Sequence, residues 1–308
     1  MPAIPGLHHV TAIARSAQDN LDWYTRDLGL RLVKRTVNFD APDVWHLYYA
    51  DRTGTPGTVL TFFPFPDAAP GRAGPGTAAA HGWAVPPAAF DRWLDHAALT
   101  GAEFDGPEHR FGARVLTLHD PDGAPVELIE TPDAPAEDRP GFGGLHSVTL
   151  WQDDPEPTAR LLTDHFGYTH AGEETTGTTT RWRLTAPGTG PGRHIDLIRR
   201  PAVARPRQGA GSIHHIAFRA PGIEDQLVWQ DRLRSAGYDV TGVKDRQYFR
   251  AIYFREPGGV LFEIATDAPG FAVDEPVETL GQALKLPPQY EPRRAGIAAR
   301  LPPLDVPA

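Results

Sequence analysis

The chain has 308 residues, enough for about two domains, and a formal net charge of −9. The negative charge argues against nucleic acid or an anionic membrane as a partner, and the lack of cysteine excludes disulfides, thiol catalysis and cysteine-bound metals. A metal would have to be held by carboxylates or by some of the 13 histidines. The N-terminus has neither a basic region nor a long apolar stretch, so we expect a cytoplasmic protein without a membrane segment.

One unit is repeated four times along the chain. Each copy begins with a β-rich stretch, and these stretches lie at residues 6–14, 81–86, 144–150 and 212–220. An amphipathic helix that ends near glycine follows each of them, at residues 17–29, 86–101, 156–167 and 223–237. Short strands close each copy, within residues 44–65, 114–130, 178–201 and 251–266. The common unit is therefore βαβββ.

Segments rich in proline and glycine separate the copies, at residues 66–80, 131–144 and 201–211. They divide the chain into an N-terminal half at residues 1–138, a C-terminal half at residues 139–270 and a proline-rich tail at residues 271–308. Within the tail we expect one short helix around Glu278–Leu284.

Histidine on a first strand and glutamate on a last strand give these modules a likeness to the vicinal oxygen chelate superfamily, which includes glyoxalases, bleomycin-resistance proteins and dioxygenases. Three stretches resemble the dioxygenases that cleave hydroquinone rings: LHHVT with KRTVNFD and LYYADRTGTPGTVLTFFPF behind it, SIHHIAF, and DRQYFRAIYFREPGGVLFEIATD. The resemblance runs from about residue 6 to about residue 290. It implies an α+β fold in which four βαβββ modules pair into two cupped-sheet halves.

The resemblance also implies a metal centre between the first and fourth modules. Its ligands would be His9, His215 and Glu263, and the metal would be Fe(II), with Mn(II) as the alternative. Two imidazoles and one carboxylate leave coordination positions open for a substrate oxygen and O2, as non-haem iron oxygenases require.

His8 and His214 each precede a histidine ligand on a predicted strand. Successive side chains of a strand point to opposite faces, so we expect only one histidine of each pair to face the metal. Packing or a hydrogen bond at the strand edge would explain His8 and His214 equally well. The resemblance favours a role for both in orienting the ligands or moving protons.

Two further residues are candidates for catalysis. If Pro257–Gly259 is a three-residue loop, Tyr253 lies opposite Glu263 on the same face of a hairpin, where its hydroxyl could bind a phenolate. The alternative is a tyrosine of the core. Arg246 matches an arginine near the substrate in the related dioxygenases, although the sequence by itself is more typical of a charge on a surface loop.

Other polar residues fit the repeat less well. His146 stands at the position that we align with the histidine ligands, and Asp196 lies on the last strand of the same module, so they form either a second metal site or a remnant of the repeat. Glu127 matches Glu263, but its module begins with Trp83 instead of histidine, so we expect Glu127 to be either a remnant of the repeat or an ion-pair partner. We assign no function to the remaining histidines, His46, His81, His96, His109, His119, His165, His170 and His194.

The sequence thus predicts an Fe(II)-dependent dioxygenase that opens a hydroquinone-type ring with O2, its partners being a small aromatic substrate and O2. The oligomeric state stays open, and a homo-oligomer is compatible with the chain. A catechol extradiol dioxygenase and a glyoxalase-type lyase are alternatives on the same fold, although a glyoxalase usually completes its metal site with two carboxylates. A metal-free protein that binds an aromatic compound is the third alternative, and it would not need the three ligands.

Overall fold

The structure is a computed structural model that describes residues 3–100, 103–132, 134 and 142–306, with the side chains of residues 98–100 left out. Modules one and two contain the strands β1 (Leu7–Ala14), β2 (Arg31–Asn38), β3 (Ala41–Ala50), β4 (Val59–Pro64), β5 (Thr77–Val85), β6 (Phe104–Arg110), β7 (Ala113–His119) and β8 (Pro125–Glu130). Modules three and four contain β9 (Leu145–Trp151), β10 (Thr169–Thr176), β11 (Thr179–Thr185), β12 (His194–Arg199), β13 (Ile213–Ala220), β14 (Lys244–Asp245), β15 (Phe249–Arg255) and β16 (Leu261–Pro269).

One helix crosses between the first and second strand of each module, and the helices are α1 (Ala17–Asp22), α2 (Pro87–Thr100), α3 (Glu156–Arg160) and α4 (Ile223–Ser235). A π-helical turn extends α1 over Trp23–Asp27, and another extends α3 over Leu161–His165. The side chain of Ser16 caps α1 by accepting a hydrogen bond from the backbone N–H of Asp19. The four predicted βαβββ units are confirmed. No helix of the described residues is long and apolar enough to cross a membrane.

The sixteen strands form two sheets of eight. The first has the order β14-β15-β16-β13-β1-β4-β3-β2 and unites modules four and one. The second has the order β10-β11-β12-β9-β5-β8-β7-β6 and unites modules three and two. Both are curled half-barrels, so the predicted fold class is confirmed, and each sheet takes one module from either half of the sequence. The boundary between residues 138 and 139 lies outside the described residues, and the division at 1–138, 139–270 and 271–308 stays a prediction.

The tail packs along β2 at the edge of the first sheet. It contains the 3-10 turns Phe271–Val273, Val277–Thr279 and Glu291–Arg293 and the short helix α5 (Arg294–Ala298). The helix expected around Glu278–Leu284 is wrong, because this stretch contains only the end of the 3-10 turn Val277–Thr279 before the chain bends at Gly281. This glycine has φ +82°, and a Cβ atom there would lie 2.2 Å from the carbonyl oxygen of Leu32. The tail therefore follows β2 too closely for a helix.

Candidate active site

The first sheet brings together the three predicted metal ligands from three strands. His9 lies on β1, His215 on β13 and Glu263 on β16, with exposed fractions of 2%, 6% and 0%. The Nε2 atoms of His9 and His215 lie 3.5 and 2.9 Å from Oε2 of Glu263. Among the described residues, this is the one group of three metal-ligating side chains with ligand atoms within 4.8 Å of one another.

The carboxylate of Glu263 fits a cation. Both of its oxygens are buried and make no hydrogen bond within the described part of the chain. Burial by itself would raise the pKa of Glu263, but His9 and His215 outweigh it and hold the pKa well below the ordinary value. A buried carboxylate without hydrogen bonds is costly, and a divalent cation would compensate it. Two nitrogens and one oxygen are the donor set of many non-haem iron sites.

Two β-bulges change the expected orientation of His8 and His214. The pairing of β1 with β13 shifts register between Leu7 and His9, and His8 has no partner there. A second shift follows Thr11, and there His214 of β13 has no partner. A bulge can turn a side chain toward its neighbour's face. The strict alternation that we expected is therefore wrong here, and each extra histidine contacts the ligand that follows it.

Each of these contacts joins two Nδ1 atoms. The distance is 2.9 Å from His8 to His9 and 2.7 Å from His214 to His215. A ligand that offers the lone pair of Nε2 to a metal carries its proton on Nδ1, so it would donate this hydrogen bond to the neighbouring ring. Burial, reinforced by the adjacent imidazole, lowers the pKa of His8 to about 3 and that of His214 to about 4. Both rings are therefore neutral and can accept the hydrogen bond from the ligand.

Tyr253 lies where the three-residue loop predicted from the sequence places it. The pairing of Glu256 with Val260 closes a three-residue loop, and Tyr253 is directly opposite Glu263. Nε of Arg246 donates to the hydroxyl oxygen of Tyr253 at 3.1 Å. Burial, and to a lesser degree the charge of Glu263, raises the pKa of Tyr253 well above its ordinary value, so the phenol keeps its proton.

Arg246 is not a free charge on a surface loop. Its side chain is 21% exposed and forms an ion pair of 3.0 Å with Asp40, which lies in the turn between β2 and β3. The two ends of the curled first sheet are thus joined across the site. Burial would lower the pKa of Arg246, but Tyr253, Asp40 and Glu263 together hold it above the ordinary value.

A cavity of about 310 Å³ opens above the three ligands. Its apolar wall consists of Phe39, Phe63, Phe65, Phe249 and Leu261. Its polar lining includes Arg246, Tyr253 and His214. His8 lies behind this lining, packed against Phe249 with ring centroids 5.2 Å apart. Of the two histidines beside the ligands, His214 is therefore the one that can face a bound molecule.

The opposite wall carries a chain of polar side chains that was not predicted from the sequence. His46 bonds through Nε2 to the hydroxyl of Thr61 and through Nδ1 to the hydroxyl of Tyr48, both at 2.9 Å. Thr61 in turn bonds to Thr11 at 2.9 Å. The repeat contained the signal, because Tyr48 lies opposite Thr61 just as Tyr253 lies opposite its own partner.

Thr61 and Glu263 occupy equivalent positions in modules one and four. Thr61 lies beside Thr11 in the parallel pair of β1 and β4, and Glu263 lies beside Ala217 in the parallel pair of β13 and β16. Thr11 and Ala217 each follow a ligand histidine by two residues. At the position that mirrors Glu263, module one thus has the short neutral side chain of Thr61, whose hydroxyl is already bonded to Thr11 and His46. The candidate centre has a carboxylate on one side only.

The second sheet corrects the alignment of His146. Asp196 lies beside Thr149 in the parallel pair of β12 and β9, which makes Ser147, two residues earlier, the equivalent of the histidine ligands. His146 corresponds to His214 instead, and our alignment of it with the ligands was wrong. Asp196 is held by Arg183, with two hydrogen bonds of 2.8 Å, and by Arg181 at 3.1 Å. Guanidinium groups thus compensate this carboxylate.

Glu127 follows the same pattern in module two. It accepts a hydrogen bond of 2.5 Å from Nη1 of Arg110, as predicted for an ion-pair residue. Its neighbour in the parallel pair of β5 and β8 is Gly82, so Ala80 and not Trp83 takes the place of a ligand histidine. The second sheet therefore has a carboxylate at both positions equivalent to Glu263, but Ala80 and Ser147 stand at the two positions of the ligand histidines.

Residues 6–128 and 144–264 match the Glyoxalase/Bleomycin resistance protein/Dioxygenase superfamily. The chain is 44% identical to MhqO of Bacillus subtilis, whose name gives ring-cleaving dioxygenase as a provisional activity, over 98% of this chain and 97% of that one. It is 32% identical to the chlorohydroquinone/hydroquinone 1,2-dioxygenase of Sphingobium indicum, over 94% and 93% of the two chains.

Solved structures agree with the fold. A crystal structure from Bacillus subtilis, provisionally described as a dioxygenase, has a TM-score of 0.92 and 41% identity, and it covers 100% of this chain and 99% of its own. Glyoxalase I from Zea mays has a TM-score of 0.65 at 13% identity over 85% of this chain and 92% of its own, which shows the fold alone. On its sequence and its architecture, this chain belongs to the glyoxalase/bleomycin resistance/dioxygenase superfamily.

Proposed function

We propose that this chain is an Fe(II)-dependent dioxygenase that opens a hydroquinone-type ring with O2. The observation that carries the proposal is the asymmetric ligand set, in which Glu263 has Thr61 as its counterpart. A metal held by His9, His215 and Glu263 would have only three protein ligands, because Thr61 offers no carboxylate at the position that mirrors Glu263. The name of the Sphingobium indicum relative supports the substrate class.

His9, His215 and Glu263 would hold the metal, Fe(II) or alternatively Mn(II), and its chemistry would be the transfer of electrons from the substrate ring to O2. The chain contributes the cavity and its hydrogen bonds. The volume of about 310 Å³ is at the small end of the range of ligand pockets, which suits a single aromatic ring. The phenylalanines of the wall would pack on the ring and keep water away.

Tyr253, Arg246 and His214 are the residues that we propose to act on the substrate. The oxygen of Tyr253 accepts a hydrogen bond from Arg246, so its proton is free to point into the cavity. There it would donate to an oxygen of the substrate. His214 lines the same cavity, and because its Nδ1 accepts from His215, its Nε2 carries the proton and would donate it to a substrate oxygen. His8, which lies behind His9, would orient that ligand.

The alternatives are less well supported. A glyoxalase-type lyase would need a second carboxylate, and Thr61 stands in its place. A metal-free binding protein would not need three metal-ligating side chains to converge, nor a buried carboxylate without a hydrogen bond among the described residues. A catechol extradiol dioxygenase shares the ligand set, and the identity of the substrate distinguishes it.

The test is O2 consumption by iron-loaded protein with hydroquinone, with catechol and with the hemithioacetal of methylglyoxal and glutathione. We expect one O2 per hydroquinone, formation of a ring-opened acid and no turnover of the hemithioacetal. O2 uptake with catechol alone would favour the extradiol alternative. Turnover of the hemithioacetal without O2 uptake would contradict the proposal.

A further inference from the structure

A second cavity, of about 150 Å³, adjoins the metal cavity. His214 and Leu261 line both spaces. Three arginines from distant segments line the second cavity, and we call it the arginine cleft. They are Arg72 between β4 and β5, Arg207 between β12 and β13, and Arg255 at the end of β15.

The guanidinium groups of the arginine cleft are fixed by carbonyl oxygens. Arg72 donates through Nε and Nη2 to the carbonyl of Arg205, and Arg207 donates through the same atoms to that of Pro70. Arg255 donates through Nη1 to Gly259 at 2.8 Å. These bonds hold each group in place but use only part of its donors. Fixed guanidinium groups lose little freedom when they bind a ligand.

The charge of the arginine cleft is not compensated. Within the described part of the chain, Arg72, Arg207 and Arg255 form no ion pair with a carboxylate, and no acidic residue lines the cleft. By contrast, carboxylates pair with Arg110, Arg181 and Arg183 of the second sheet. Three positive charges without an ion pair around one cavity, in a chain of net charge −9, create a local field that favours an anion.

The proposed reaction makes an anion next to this cleft. When O2 is inserted between the hydroxyl-bearing carbon and its neighbour, the first carbon becomes a carboxylic acid and the second an aldehyde. Both oxygen atoms enter the product, and the acid loses its proton to water at neutral pH. A neutral substrate is thus converted into a carboxylate, the group that arginine binds with two parallel hydrogen bonds.

We propose that the arginine cleft binds the carboxylate of the ring-opened product as it leaves the metal cavity. This inference rests on the proposed function, because that reaction supplies the carboxylate. The cleft would draw the product past His214 and Leu261 and leave the metal cavity free for the next substrate.

The test is a calorimetric titration of iron-loaded protein with cis,cis-muconate, a six-carbon dicarboxylate, under nitrogen and with saturating hydroquinone in the metal cavity. We expect Arg255→Gln to weaken binding roughly tenfold. Arg255→Lys should recover part of the affinity, and added salt should reduce it. Arg92→Gln, on the surface of α2, is the matched control and should bind as the parent does. Unchanged thermal unfolding would show that Arg255→Gln still folds.

Equal muconate affinity in the parent, Arg255→Gln and Arg207→Gln would overturn the proposal, and so would a parent that does not bind muconate. The alternative is that the arginine cleft binds a carboxylate group of the substrate instead of the product. In that case Arg255→Gln would raise KM for 2,5-dihydroxybenzoate but leave the inhibition of hydroquinone oxidation by muconate unchanged, which would contradict the assignment to the product. O2 uptake by the parent with hydroquinone tests the proposed function separately.

Discussion

Tyr253 and Glu263 face each other across the hairpin of β15 and β16, at the point where that hairpin contributes to the candidate metal centre. Paired residues of antiparallel strands point to the same face of the sheet. The hydroxyl oxygen of Tyr253 is already the acceptor for Arg246, so the phenolic proton is the part of the group that remains for a ligand. The pairing thus places a fixed hydrogen-bond donor beside the carboxylate that would bind the metal.

Replacement of Tyr253 by phenylalanine should slow turnover of hydroquinone by about a hundredfold, because hydrogen-bond or acid–base assistance typically contributes that much. Iron content and thermal unfolding should stay as in the parent. O2 uptake at saturating substrate measures the effect. Tyr238→Phe removes a hydroxyl outside the cavity and is the control. Turnover of Tyr253→Phe within about twofold of the parent would mean that His214 acts without the tyrosine.

Thr61→Glu should add a fourth protein ligand at the position that mirrors Glu263. We expect metal affinity to rise roughly tenfold or more and the metal to stabilise the variant against heat more than it stabilises the parent. O2 uptake should fall, because the new carboxylate occupies a position that substrate or O2 needs. Thr61→Val keeps the shape without adding a ligand and should leave metal affinity unchanged. Unchanged metal affinity and full O2 uptake in Thr61→Glu would contradict the proposed equivalence.

His81 should make the fold sensitive to acid. Its Nδ1 accepts a hydrogen bond from the indole of Trp83 at 3.1 Å, and its Nε2 is buried without a partner among the described residues. Burial lowers the pKa of His81 from 6.5 to about 4. The unfolded chain therefore binds this proton more readily, and the contribution to stability, complete above pH 6.5, is lost as the pH falls from 6.5 to 4.

The measurement is urea unfolding of the parent and of His81→Gln at pH 7 and pH 5. When the pH falls from 7 to 5, the free energy of unfolding should decrease by about 2 kcal/mol less in the variant than in the parent. His109→Gln changes an exposed histidine and should leave the acid sensitivity as it is. An equal loss in His81→Gln and the parent would exclude His81 as a cause.

Lys34 should anchor the tail to the first sheet. Its side chain is 0% exposed, and Nζ lies 2.6 Å from Asp274 and 2.5 Å from Glu275. Lys34→Met leaves these carboxylates uncompensated, and we expect a loss of about 3–5 kcal/mol in the free energy of unfolding. Addition of Glu275→Gln should restore part of it. A loss below about 1 kcal/mol in urea unfolding would mean that this ion pair contributes no more than an exposed one.

The repeat in the sequence was sufficient to predict the four modules and the pairing of Tyr253 with Glu263. Both depend on local information: the order of strands and helices within about 60 residues, and the length of the loop Pro257–Gly259. The resemblance to known dioxygenases supplied His9 and His215, which the structure brings to within a few ångströms of Glu263.

The remaining features depend on how distant strands pair. The bulges at His8 and His214 arise where β1 meets β13, and neither strand carries a local mark of them. The register of β9 against β12 is likewise needed to align His146 correctly. The repeat contained a hint for His46, because its strand corresponds to that of Tyr253. Its position in the cavity, however, depends on the curl of the sheet.

The most direct test of the account is the metal content of the purified, iron-loaded protein, measured together with its O2 uptake in the presence of hydroquinone. We expect one iron per chain in the parent and in His146→Ala, both active. We expect loss of most of the iron and of O2 uptake in His9→Ala, in His215→Ala and in Glu263→Ala. Full iron content and activity in His9→Ala, with loss of both in His146→Ala, would contradict it and move the centre to the second sheet.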